Sequence, residues 1–179
     1  MSVARVGKVL AAALATAVIG VVAAIPPASA SAGSRCPGAG ARVTRSSPVR
    51  IALSTLCLMN VERRRHGRRS LSLEPRLATA AGMHARSMVR SGWFAHGSVA
   101  SRLRNVGYRS PVVGENMAWG IGSLATPGAI MRAWMRSPSH RANILSRRYT
   151  TTGVGIVLGA PGRLGADETA TFTQVFAGR

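Results

Sequence analysis

The spacing of apolar residues changes once along this chain, and that change restricts the fold more than any other feature. Between Val49 and Leu145 most apolar side chains recur every three or four positions, the pattern of helices with one buried face. Gly153 to Leu158 and Thr169 to Phe176 are instead short runs of β-branched, aromatic and small residues. Gly159 to Glu168 between them is rich in Gly, Pro and polar residues, so the pair reads as a hairpin with a long loop. Pro111 to Ala118 is a further strand candidate. No internal repeat is present. Several helices on a small, mainly antiparallel sheet make an α+β domain.

The helices carry their own punctuation. From Val49 to His66, the residues Leu53, Leu56, Cys57 and Asn60 share one face. Arg63, Arg64 and Arg65 lie in the last turn, where cations suit the helix dipole, and Gly67 follows as a C′ residue. Pro75 is a favourable first residue for the next helix. Leu77, Ala80, Ala81, His84 and Met88 line one side of it, and Gly92 stops it. A short helix spans Ser98 to Val106 and ends at Gly107. Thr126-Pro127 is an N-cap followed by N1, opening a helix through Ile130, Ala133 and Trp134 to Arg136. Pro138 interrupts it, and residues 139–145 add one more turn.

The N-terminus belongs to a different kind of segment. Arg5 and Lys8 precede an apolar run from Val9 to Ile25, which Pro26-Pro27 ends. Ala28-Ser29-Ala30 then supplies small residues. Residues 1–30 have the layout of a secretory signal peptide, with cleavage after Ala30 or, by the same pattern, after Ala32. The alternative is an uncleaved anchor helix, for which the run is slightly short of the roughly 20 residues a span needs. No later segment is long and apolar enough to cross a membrane. Residues 31–48 read as a linker and 49–179 as the folded domain. The expected location is therefore secreted, or extracellular. There a lone pair of cysteines, Cys36 and Cys57, forms a disulfide more often than two free thiols.

Composition narrows the chemistry. The 179 residues include 24 Lys+Arg against 5 Asp+Glu, a net charge of +19. Five acids are too few for carboxylate-rich calcium loops, and two cysteines too few for a Cys₄ zinc ribbon. Lys8 is the only lysine, and the arginines are scattered, which reads as a biased, solvated surface. Aromatic residues are only 4% of the chain, so no basic and aromatic interleaving of the RNA-binding kind appears. With export, the expected partners are wall polymers, anionic lipid headgroups and other extracellular polyanions, and not nucleic acid.

Three polar groups stand among apolar neighbours: His96 after Trp93-Phe94-Ala95, Glu115 within Gly114-Glu115-Asn116, and His140 after Ser137-Pro138-Ser139. A buried carboxylate needs hydrogen-bond or charge partners, and two histidines are the natural ones. His66 sits at a basic helix end and reads as exposed. His84 falls on an apolar helix face and reads as a core or cavity-edge residue. Asn116, and Asn60 with it, would join His96 and Glu115 in one buried network. Trp119 and Trp134 read as core anchors, Trp93 and Phe94 as the rim of a cleft.

These pieces occur in a recognisable order. It runs Leu58-Met59-Asn60-Val61-Glu62-Arg63, Leu77-Ala78-Thr79-Ala80-Ala81, Trp93-Phe94-Ala95-His96 and Gly114-Glu115-Asn116. It continues with the stretch from Ala133 to Leu145 that contains Ser137-Pro138-Ser139-His140-Arg141-Ala142-Asn143, then Gly153-Val154-Gly155 and Phe172-Thr173-Gln174-Val175-Phe176. Over residues 49–177 this resembles the CAP superfamily of cysteine-rich secretory, antigen 5 and pathogenesis-related proteins, in particular its bacterial SCP-like extracellular branch. The resemblance implies a three-layer α-β-α sandwich with a central cleft. In animal and plant members that cleft holds two His and two Glu and binds a divalent metal, commonly zinc. His96 and Glu115 match the first histidine and the first glutamate. Ser137 stands at the second glutamate and Thr171 at the second histidine, and His140 is the bacterial branch's own histidine.

Two functions follow as expectations. The resemblance implies a secreted ligand-binding module for lipid or sterol, cell-wall polymer or a protein partner, with no reaction common to the family. Its cleft would be built from His96, Glu115, His140, Asn116, Asn60 and Ser137. The alternative is a divalent-metal-dependent extracellular hydrolase. His96, Glu115 and His140 supply three zinc ligands, leaving the fourth place to water. No His-Glu-x-x-His motif and no Gly-x-Ser-x-Gly elbow accompanies them, which weighs against an enzyme.

Overall fold

The computed structural model describes residues 36–44, 47–165 and 168–179. The signal segment, residues 1–30, lies outside the described residues. Among those described, no helix is long and apolar enough to cross a membrane.

Local sequence signals place most elements. Helix α1 (Pro48–Arg65) opens on a proline and ends beside Gly67, whose φ of 64° is the left-handed conformation that glycine adopts at no steric cost. Helix α2 (Pro75–Ser91) begins at Pro75 and is capped by Gly92 at φ 76°. Helix α3 (Val99–Asn105) has Ser98 as its cap. Thr126 caps α4 (Pro127–Arg136) by accepting the Ala129 N–H. Pro138 then starts a separate helix, α5 (Pro138–Leu145).

The strands are β1 (Ser72–Leu73), β2 (Val112–Ile121), β3 (Tyr149–Ala160), β4 (Arg163–Leu164) and β5 (Thr169–Gly178). The sheet order is β1-β3-β5-β2, with β4 pairing β3. Among the described residues the β1–β3 pair is parallel and the other pairs are antiparallel. The expected hairpin is β3–β5; β3 extends beyond its predicted run at both ends, and β5 extends beyond its run only at the C-terminal end.

Strand β5 explains the layering. All of its residues from Thr169 to Gly178 are buried, so both faces of the sheet are covered. Alternation divides them. Ala170, Phe172 and Phe176 pack with Leu58 and Met59 of α1, Ile130, Met131 and Trp134 of α4, and Ile144 of α5. Val175 and Ala177 pack with Leu77, Ala80 and Ala81 of α2 and Leu103 of α3. The result is the α-β-α sandwich expected from the family resemblance.

Gly153 and Gly155 set the depth of the second layer. A Cβ on Gly153 would stand 2.0 Å from the Ala78 nitrogen, and one on Gly155 would stand 2.1 Å from the Gly82 nitrogen. Helix α2 therefore rests its backbone directly on β3, which carries His84 in toward the sheet.

The structure corrects several readings. The buried face of α1 is Ile51, Ser54, Thr55, Leu58 and Met59, while Leu53 is exposed. Counting from Leu53 selected the wrong helical stripe because Ser54 and Thr55 are buried polar residues that carry no apolar signal. Arg63 is not a solvated C-terminal cation but is buried. Trp134 is the core anchor expected, its indole N–H donating to the Met117 carbonyl at 3.2 Å. Trp119 is not, being half exposed on edge strand β2.

Cys36 and Cys57 form a disulfide with Cα atoms 5.7 Å apart. The described part of the segment that reads as a linker is thereby tied to α1. Cys36, Ala39 and Val43 are buried in the same core cluster. The Gly128 N–H donates to the Ala39 carbonyl at 2.7 Å, joining this segment to α4.

Candidate functional site

Edge strand β2 carries Glu115 opposite Val175 of β5, which turns its side chain toward the α2–α3 layer. The carboxylate is 1% exposed. Three elements deliver partners to it: α2 brings His84, the α2–α3 connection brings His96, and α3 brings Arg102.

The Arg102 guanidinium donates to Glu115 Oε2 and also to the His96 carbonyl, at 2.6 Å from the latter. One arginine thus neutralises the buried carboxylate and fixes the loop that holds His96. Glu115 Oε1 accepts from His96 Nδ1 at 2.9 Å. With Nδ1 donating to the carboxylate, Nε2 is the ring's remaining polar atom, on a side chain that is 55% exposed.

His84 is the third cation-capable group. Its Nε2 lies 3.0 Å from the Ala95 carbonyl and 3.7 Å from Glu115 Oε1. The first distance is a hydrogen bond and the second is too long for one. Burial pulls this imidazole below its ordinary value; the Glu115 carboxylate opposes that pull and the Arg102 charge adds to it. His84 therefore stays neutral near pH 7 and steadies the Trp93-Phe94-Ala95-His96 segment through Ala95.

The other face of β2 holds a separate polar group. Asn116, fully buried, points toward α5 and donates to the His140 carbonyl at 3.1 Å. Asn143 donates to the Glu115 carbonyl at 3.1 Å and to Asn116 Oδ1 at 3.0 Å. The Tyr149 hydroxyl donates to the Val113 carbonyl at 3.3 Å. Gly114 makes room for this, since a Cβ there would meet the Tyr149 hydroxyl at 2.2 Å. The His140 imidazole is pulled below its ordinary value first by burial and then by the electrostatic influence of His96.

The residues expected in one cleft therefore divide. His96 and Glu115 are bonded, as the sequence predicts. Asn116 lies on the opposite side of the sheet because consecutive strand residues alternate. Asn60 is elsewhere, exchanging hydrogen bonds with the backbone of Leu71 at 3.0 and 2.8 Å. The Ser137 hydroxyl meets that of Ser139 at 3.4 Å and takes no part in the Glu115 group. Thr171 donates to the Gly159 carbonyl at 2.8 Å.

The set His96, Glu115 and His140 is not gathered as metal ligands. Among the described residues, no group of three or more His, Cys, Asp and Glu side chains is arranged to hold a metal ion. The donor chemistry explains this. Both Glu115 oxygens are engaged, and one of them faces a guanidinium that would repel a divalent cation at the same place. The residues present do not fit a zinc ion at this carboxylate.

Sequence reasoning missed Arg102 and undervalued His84. Arg102 is one of 24 basic residues and carries no local signal. His84 was assigned to an apolar face, which is correct, but that face also meets the buried carboxylate.

Comparison with known proteins agrees with this fold. Residues 56–176 match the sequence profile of the CAP, or cysteine-rich secretory protein, family. The chain is a member of the CAP family. It is 31% identical over 127 residues to the Bacillus subtilis (strain 168) protein YkwD, covering 68% of this chain and 45% of YkwD. It is 32% identical over 106 residues to the membrane protein YlbC of the same strain, covering 56% of this chain and 30% of YlbC. The chain thus spans less than half the length of either relative. Among solved structures it resembles an extracellular SCP-domain protein of Bacillus anthracis str. Ames, with TM-score 0.62, 24% identity, and 74% of this chain and 41% of that one covered. An outer surface protein of Borrelia burgdorferi superposes with TM-score 0.63 at 17% identity, covering 78% of this chain and 98% of that one. Both likenesses concern the fold.

Proposed function

We propose that this chain is an exported CAP-domain binding module whose ligand is amphipathic, of lipid or sterol type, and engages the His96 side of the cleft. The observation that carries the reading is the asymmetry of the His96–Glu115 pair. The carboxylate is buried and satisfied, whereas the imidazole is 55% exposed and leaves Nε2 to hydrogen-bond a ligand hydroxyl. Apolar surface accompanies it. Trp93, Phe94 and Met83 are all exposed, and exposed aromatic side chains next to a polar group suit a ligand with an apolar body.

A pocket of about 180 Å³ opens between α2 and α3, lined by Ala80, Met83, His84, Ser87, Arg102 and Asn105. It is smaller than pockets that enclose a whole drug-sized ligand, roughly 300–1,000 Å³. It suits one end of a ligand, the rest lying over exposed apolar side chains. Export is supported by the layout of residues 1–30 and by the disulfide, which belongs to oxidising compartments.

The test is binding of dehydroergosterol and of a pyrene-labelled fatty acid to the purified chain, followed by fluorescence. Saturable binding that weakens about tenfold in His96→Ala, with an unchanged melting temperature, is expected for loss of one buried ligand hydrogen bond. Absence of saturable binding of both probes, or equal binding by the variant, overturns the reading.

A further inference from the structure

Arginines that are scattered in the sequence converge at the C-terminal end of α1. Arg63, Gly67, Arg68, Arg69 and Arg147 line a pocket of about 280 Å³. It shares no lining residue with the pocket between α2 and α3. Arg63 is 2% exposed, and its guanidinium donates to four backbone carbonyls: Arg69 at 2.7 Å, Ile144 at 2.6 Å, Ser146 at 3.0 Å and Tyr149 at 3.5 Å. Arg68 Nε donates to the Leu145 carbonyl at 3.0 Å. Two of the four cations are thus held in place by main-chain oxygens and lose little freedom on meeting a ligand.

Among the described residues, no carboxylate forms an ion pair with Arg63, Arg68, Arg69 or Arg147. The nearest acid in sequence, Glu62, is paired with Arg65 at 2.8 Å. Arg63 and Arg68 act on each other as like charges. A guanidinium has five N–H donors, and the four carbonyls leave one of Arg63's unassigned. Arg69 and Arg147 are exposed at the rim.

We propose that this pocket is an anion site for a phosphate or phosphodiester group of a soluble polyanion. Guanidinium forks match phosphate oxygens in geometry, and clustered arginines without acids are the arrangement that such groups recruit. A phosphate with its adjoining carbons fits the pocket's volume. A membrane surface is the weaker occupant, since none of the five lining residues presents an apolar side chain for insertion. The site is independent of the ligand proposed for the His96 cleft.

The experiment compares two double variants that remove equal charge from exposed positions. Arg69→Ala/Arg147→Ala empties the rim, and Arg86→Ala/Arg132→Ala removes two exposed arginines that do not line the pocket. Binding of inorganic polyphosphate is measured by calorimetry at fixed salt, with sn-glycerol 3-phosphate as competitor. The rim variant is expected to lose affinity about tenfold or more and the control less than about threefold, since charge-assisted fork contacts are lost only in the first. Both variants keep Arg63 and its structural bonds, and melting curves verify that they fold. Equal losses in the two variants overturn the site in favour of unspecific attraction by net charge. Binding to phosphatidylglycerol vesicles without binding to polyphosphate overturns it in favour of a membrane surface, and no binding to either overturns it outright.

Discussion

Glu115 and Asn116 are consecutive residues that serve opposite faces of the sheet. Glu115 gathers His96, Arg102 and His84 from the α2–α3 side, while Asn116 bonds the His140 carbonyl and Asn143 on the α5 side. Strand alternation makes this division unavoidable. Edge strand β2 thereby ties both helical layers to the sheet with two adjacent polar side chains, at the position where no further strand supplies backbone partners.

The Glu115–Arg102 pair is buried on one side and has few alternatives. Glu115→Gln keeps the shape but leaves the guanidinium without its counter-charge, and breaking a buried pair in this way costs about 3 kcal/mol or more. The second change Arg102→Met is expected to recover more than half of that loss, because both charges are then gone. Urea unfolding of the two variants and the parent measures it. A Glu115→Gln variant as stable as the parent would show that the pair contributes nothing.

On the other face, Asn143→Ala removes donors to the Glu115 carbonyl and to Asn116 Oδ1. A loss of about 2 kcal/mol is expected, since two buried acceptors become unsatisfied. Asn116→Ala shares one of those bonds, so the double variant should be less destabilised than the sum of the singles. Additive losses in a double-mutant cycle would contradict the shared bond.

Stability should fall on mild acidification through His84. Its folded value lies below the ordinary 6.5, with burial the first cause. Between the two values the unfolded chain binds more protons, so stability rises with pH across that interval. The contribution is complete above pH 6.5 and is lost as pH falls through the folded value. Glu115, Arg102 and His96 surround this ring, so the comparison is with His84→Gln, which keeps a donor for Ala95. Melting temperatures from pH 7 to pH 5 should drop more steeply in the parent, and parallel curves would refute the assignment.

Three glycines separate close packing from flexibility. Gly155→Ala places a Cβ 2.1 Å from the Gly82 nitrogen, a backbone atom that moves only with helix α2. A cost of about 3 kcal/mol is expected, the upper end of ordinary overpacking. Gly153→Ala should behave alike, with its Cβ 2.0 Å from the Ala78 nitrogen. Gly82→Ala meets nothing within 4 Å and sits inside α2, so it should gain roughly 0.5–1 kcal/mol from helix propensity. Thermal unfolding of the three variants distinguishes these signs.

Local chemistry made most of the fold readable. Pro75, Thr126-Pro127 and Pro138 start helices, and Gly92 and Gly107 end them at positive φ, because these residues act through their own backbone. The disulfide was readable from compartment and cysteine count. The α1 face was not, because its buried Ser54 and Thr55 look polar in sequence and Leu53 looks like core.

The site divides along the same line. His96 and Glu115 stood out as isolated polar residues among apolar ones, and they are bonded. Arg102 could not be singled out, because one arginine among many acquires meaning only when a helix turns it onto a carboxylate. The same holds for Arg63 and Arg147, separated by eighty-odd positions and joined in one pocket. Asn60 and Ser137 had the right residue types and the wrong places.

Secondary structure, caps, the α+β class and the identity of two site residues thus follow from short-range rules that each residue obeys with its immediate neighbours. Which face of β2 each polar group serves, which arginine neutralises Glu115, and whether three ligand-type residues meet follow from how the layers pack. Those contacts join positions far apart in sequence, and residue type alone carries no information about the direction from which a partner arrives.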